Sequence, residues 1–105
     1  MPAYLIANVD VHDRAAFAEY GTRVPPVIAS FGGRYLVRGG ELHGMEGDMG
    51  LKRLVIIEFP SMDAARRFYE SAEYAPLLRM RLASATSSLA FVEGVPPVTT
   101  PREGT

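Results

Sequence analysis

Apolar positions along this chain alternate between two spacings. Ala3–Val9 is a short run of strand formers, with Leu5, Ala7 and Val9 on one face. From Phe17 the spacing lengthens. Phe17, Tyr20, Val24, Ile28 and Phe31 recur every three or four residues, the period of an amphipathic helix. Asp13 stands where an N-cap belongs, and Gly32 where a helix ends in the left-handed region. Pro25 and Pro26 interrupt this pattern and are expected to split it into two helical pieces, because proline removes a backbone donor and crowds the preceding turn. Arg34–Arg38 reads as a second strand. Gly39 to Gly50 holds five glycines and the acids Glu41, Glu46 and Asp48, and reads as a long loop or ragged hairpin.

Lys52–Phe59 is the third expected strand, stopped by Pro60. Ser61 can cap the next helix, with Asp63 in its first turn and Ala65, Phe68, Tyr69 and Ala72 as its buried stripe. Pro76 opens a further helical piece carrying Leu78, Leu82 and Ala85, and Ser88–Glu93 is the fourth strand. Residues 95–105 are rich in Pro and Thr and are expected to form a flexible tail, leaving residues 1–94 as one domain.

The order strand, helix, strand, strand, helix, strand predicts the ferredoxin-like α+β plan, a four-stranded antiparallel sheet with its helices on one face. Strand parity then separates two faces. Leu5, Ala7, Val9, Tyr35, Val37, Val55, Ile57 and Phe59 form an apolar or aromatic set suited to the helices. Tyr4, Ile6 and Asn8, then Arg34, Leu36 and Arg38, then Leu54, Ile56 and Glu58, form a mixed set. That second set is too apolar for a face left in water. A second copy of the chain is its expected cover, which makes a dimeric α+β barrel with an interior cleft.

Composition narrows the function. The chain has 105 residues, 48% of them hydrophobic, and a formal net charge of −1. Such a balance supplies no electrostatic footprint for nucleic acid. There are no cysteines, which excludes thiol chemistry, disulfides and thiolate metal sites and fits a cytoplasmic protein. The apolar run Tyr4–Val9 is too short to span a membrane and lacks the flanks of a signal peptide.

Several spaced pieces resemble one family. They are Glu19-Tyr20, the run GGRYLVRGG from Gly32 to Gly40, EGD at Glu46–Asp48, IEFPS at Ile57–Ser61, FYESAEY at Phe68–Tyr74 and VEG at Val92–Gly94. Together they resemble domain-of-unknown-function family 1330 (DUF1330), within the dimeric α+β barrel superfamily. Phe68 stands where relatives often carry Trp. The resemblance implies the fold and dimerisation, and no established substrate. Superfamily members include cofactor-free monooxygenases, muconolactone isomerase-like enzymes and haem-degrading enzymes, but a shared fold does not transfer chemistry.

Candidate chemistry centres on the mixed face. By parity Arg38 and Glu58 share it, and are expected either to pair with each other or to hold an anionic ligand in the barrel cleft. Asn8 could orient a carbonyl there, and the hydroxyls of Tyr69 and Tyr74 could reach a pocket or pack with hydrogen-bonded tips. His43, beside Glu41, Glu46 and Asp48, and Glu58 are the candidate bases if the protein is an enzyme. The spacing around His43 matches no metal-ligand motif, so no metal site is expected, nor any cofactor; His12 is expected simply to precede the first helix. The leading expectation is therefore a homodimer that binds a small, partly apolar anion. A cofactor-independent oxygenase or isomerase, and a purely structural module, are the alternatives.

Overall fold

The computed structural model describes residues 1–96, so the expected tail lies, from residue 97 onward, outside the described residues. The elements are β1 (Ala3–Val11), α1 (Arg14–Ser30), β2 (Arg34–Arg38), β3 (Leu54–Phe59), α2 (Met62–Tyr69), α3 (Ala75–Ser84) and β4 (Ala85–Glu93). The four strands are antiparallel in the order β2-β3-β1-β4, the ferredoxin-like arrangement. Leu5, Val9, Ile57 and Phe59 from the sheet meet Val24 and Ile28 of α1, Phe68 of α2 and Leu77 of α3 in one core. The helices therefore cover the face that parity assigns to them.

Both predicted caps form. Asp13 Oδ1 accepts from the backbone N–H of Ala16 at 3.1 Å, and Ser61 Oγ from that of Ala64 at 3.0 Å. At the far end of α1, Gly33 lies where a Cβ would come within 2.7 Å of both Ile28 Cγ2 and Phe59 Cε1. Only glycine lets the chain turn that tightly between helix and sheet.

Three expectations are corrected. Pro25 and Pro26 do not split the first helix, and α1 runs unbroken through both. Proline at position 25 has no N–H to give the carbonyl of Gly21 one turn earlier. That carbonyl accepts instead from Arg38 Nη2, 2.6 Å away on β2. A tertiary contact thus supplies the hydrogen bond that the proline withholds.

The second correction is at α3. Its buried side is Leu77, Arg81 and Ser84, while Leu82 is 61% exposed. Ala85, read as the last residue of the helical stripe, is the first residue of β4 and pairs with Val11. The backbone N–H groups of His12 and Asp13 both donate to Ser84 O. These contacts end the helix before its apolar spacing does.

The third correction concerns β2. Arg34 lies opposite Glu58 and Tyr35 opposite Ile57, but Val37 then lies opposite Ile56 and Arg38 opposite Val55. One extra residue, Leu36, sits in a β-bulge, and a bulge shifts the facing of every residue beyond it. Arg38 therefore joins the helix-covered face. It does not share a face with Glu58.

Candidate functional site: an arginine-lined interior cavity

A cavity of about 50 Å³ lies between the sheet and α1 and α3. Its walls are largely apolar, with Leu5, Ala7 and Val9 of β1, Val55 of β3, and Val24 and Ile28 of α1 among them. The polar groups at its edges are Arg38, Arg53, Arg81, Tyr20, Tyr35 and Tyr74. No Asp, Glu or His lines it among the described residues.

Arg81 occupies the deep end and is only 5% exposed. Helical spacing from Leu77 turns it inward, onto the buried side of α3. Its Nε donates to Tyr74 Oη at 3.3 Å, and Tyr74 Oη lies 2.9 Å from Tyr20 Oη. The two phenols share one hydrogen bond, so one of their two O–H groups remains free to donate. Burial works against the charge on Arg81, but the oxygens of Tyr74, Tyr20 and Tyr69 outweigh it, and its pKa is raised. Burial, then the neighbouring Tyr74, pushes the Tyr20 phenol far above its ordinary value. Tyr35 is raised as well, chiefly by burial.

The mouth carries the other two guanidinium groups. Arg38 stacks over Tyr35, its Cζ 4.5 Å from the ring centroid, and spends one N–H on Gly21 O. Arg53 lies over Phe17 at 5.7 Å, and its Nε is buried with no hydrogen-bond partner. Gly39, in the left-handed region at φ 69°, makes room for it: a Cβ there would come within 2.6 Å of Arg53 Cζ.

Among the described residues none of the three cavity arginines has a carboxylate partner. The ion pairs formed among the described residues are Arg23–Glu19, Arg34–Glu58, His43–Glu41 and Arg67–Asp63. The cavity thus has largely apolar walls, with Arg81 buried inside it and Arg38 and Arg53 where it borders the outer surface.

Two of the residues singled out by sequence, Arg38 and Tyr74, converge here. Tyr74 is 1% exposed, so its hydroxyl serves the interior network. Tyr69 packs on Tyr74 and Phe91 with centroids 5.8 and 5.9 Å away, and does not line the cavity. Glu58 lies on the opposite face, where it accepts from Arg34 Nε at 2.8 Å and from Tyr4 Oη at 3.1 Å. The hydrogen bond from Arg34 holds its carboxyl below the usual value. Asn8 secures the end of the glycine-rich loop, donating to Gly50 O at 3.0 Å and accepting from Lys52 N at 2.8 Å. His43 is exposed, 3.6 Å from Glu41. Among the described residues no His, Asp or Glu group is arranged to hold a metal ion.

Sequence reasoning missed Arg53, Arg81, Tyr20 and Tyr35 as site residues. Arg81 did leave a signal: it lies four residues after Leu77, and a charge on a buried helical phase demands a reason.

Fold and cavity together define a ferredoxin-like α+β protein with a cation-lined interior. The chain belongs to the family described as domain of unknown function (DUF1330), whose profile matches residues 2–95. No curated protein matches it. Among solved structures it is similar to RPA0582, a protein of unknown function from Rhodopseudomonas palustris, with 23% identity over 91% of this chain and 84% of that one and a TM-score of 0.73. A dimeric ferredoxin-like protein of unknown function from Jannaschia sp. matches at 11% identity over 90% of this chain and all of that one (100%), with a TM-score of 0.67. SnoaB, a cofactor-independent oxygenase from Streptomyces nogalater, matches at 16% identity over 94% of this chain and 98% of that one, with a TM-score of 0.60. Among the described residues no helix is long and apolar enough to cross a membrane.

Proposed function

We propose that this protein is a homodimeric small-molecule-binding domain of the cytoplasm that takes a small, partly apolar anion into the cavity between helices and sheet. The observation that carries this reading is Arg81, a buried guanidinium that lines an apolar cavity and has no carboxylate partner among the described residues. Burial penalises that charge, and among the described residues only phenol oxygens offset the penalty, with no counter-charge beside them. A bound oxyanion offsets that cost and accepts from the free phenol as well. Arg81 presents a planar fork suited to carboxylate, and the cavity walls suit a hydrocarbon body.

The test is a thermal-shift screen of small aliphatic and aromatic carboxylates against the wild type and Arg81→Met. Stabilisation of the wild type that is lost in the variant supports the site. Equal stabilisation of both would remove Arg81 as the anchor, and no stabilisation by any acid would favour a structural module.

Dimerisation is supported by the open sheet face, where Ile6 is 38% and Val92 45% exposed around half-buried Leu54 and Ile56. The Jannaschia protein, a dimeric ferredoxin-like protein, points the same way. The oxygenase or isomerase reading with His43 or Glu58 as base gains no support, since both lie away from the cavity.

A further inference from the structure

We infer that the ligand is two-headed, a dicarboxylate-type anion with an apolar middle, and that a hollow outside the cavity is its second anion subsite. This rests on the cavity reading above and adds a second contact to it. The hollow, about 460 Å³, opens beside the first half of α1 and the ends of β1 and β2. Arg14, Arg38 and Arg53 line it together with Phe17 and Thr22, and no acid does so among the described residues. The chain as a whole has 11 Lys and Arg against 12 Asp and Glu, so this clustering is local and does not reflect a basic protein.

Three features tie hollow and cavity into one site. Phe17, Gly21, Arg38 and Arg53 border both spaces. Arg53 has a buried Nε with no partner, so even the mouth holds a donor that nothing in the described chain satisfies. Arg14 is the first residue of α1, where the helix dipole opposes a cation, and no carboxylate pairs with it among the described residues. A monoanion seated on Arg81 would leave the arginines of the mouth unmatched. A monoanion at the mouth would leave Arg81 buried and unpaired. One molecule with a carboxylate at each end answers both, and the apolar walls between suit its hydrocarbon middle.

The experiment compares acids of one skeleton by isothermal titration at low salt: glutarate against valerate, and isophthalate against benzoate. At least one diacid is expected to bind ten-fold or more tightly than its monoacid, with an advantage that shrinks as salt screens the exposed mouth. Arg14 lines only the hollow, so Arg14→Gln is expected to weaken that diacid three-fold or more and leave its monoacid unchanged. A melting curve confirms that the variant is folded. Equal binding of mono- and diacids, or an Arg14→Gln effect that is absent or the same on both, overturns the two-headed ligand and leaves the cavity reading intact. If no acid binds at all, the cavity reading falls and takes this inference with it.

Discussion

The two faces of the sheet both carry apolar side chains, the helix-covered one more of them, and they treat their charges in opposite ways. On the open face, Arg34, Glu58 and Tyr4 satisfy one another, and Asn8 spends both ends of its amide on the loop backbone. What remains unmatched there is apolar: Ile6, Leu54, Ile56 and Val92. On the helix-covered face the apolar groups are packed and the charges are left over, with Arg38, Arg53 and Arg81 all lacking a carboxylate among the described residues. An unmatched apolar surface calls for a protein partner, whereas a buried cation without a counter-charge, here Arg81, calls for an anion. One sheet thus presents two unfinished surfaces that want different things.

The sharpest break in that comparison is on the open face. Ile56→Asp is expected to raise the dimer dissociation constant at least a hundred-fold, in line with the ~3–5 kcal/mol cost of an uncompensated buried charge. Sedimentation equilibrium reads this directly, and a wild type that stays monomeric at micromolar concentration would sink the dimer.

Arg81→Met comes next and should cost less than most core substitutions. Without ligand it keeps the volume and removes the burial penalty together with the hydrogen bond to Tyr74 that offsets it, so stability is expected to change by no more than about 1–2 kcal/mol. Arg34→Met, at the exposed pair of the other face, should move the denaturation midpoint little. Urea unfolding of both variants separates the faces, and a larger loss in Arg81→Met would mean that Arg81 is held by the phenols alone.

Alkaline pH probes the helix-covered face further. The native pKa of Tyr20 lies far above its unfolded value of 10.0, so its contribution is complete below pH 10 and is lost as pH rises above it. The expected slope is at most about 1.4 kcal/mol per pH unit for this phenol. Urea midpoints between pH 9 and 11 should fall less steeply in Tyr20→Phe than in the wild type, and parallel slopes would contradict the buried phenol.

The smallest effect belongs to Glu58. Its native pKa is lowered, first by the hydrogen bond from Arg34, so its contribution is present above the unfolded value of 4.5 and fades as pH falls through the native one. Between pH 5 and 3 the melting temperature of Glu58→Gln should therefore fall slightly less than that of the wild type.

Local signals carried most of the fold. Asp13 and Ser61 each have a short oxygen acceptor next to a helical period, so both helix starts were legible. The strands were legible because alternation and burial coincide on β1 and β3. Strand parity breaks at Leu36, since a bulge is a property of a strand pair and leaves no mark in an alternating RYLVR. Pro25 reads as a helix breaker because its missing donor belongs to the helix, while the replacement donor, Arg38, comes from another element.

By itself, then, the sequence determined the order of elements, the ferredoxin-like plan and the family, because caps, breakers and apolar periods act over a few residues. Only the tertiary structure decided which face holds Arg38, that Arg53 and Arg81 meet it around one cavity, and that Glu58 does not. Those are outcomes of pairing and packing between residues far apart in the chain, and a single shifted register is enough to move a charge from one side of the sheet to the other.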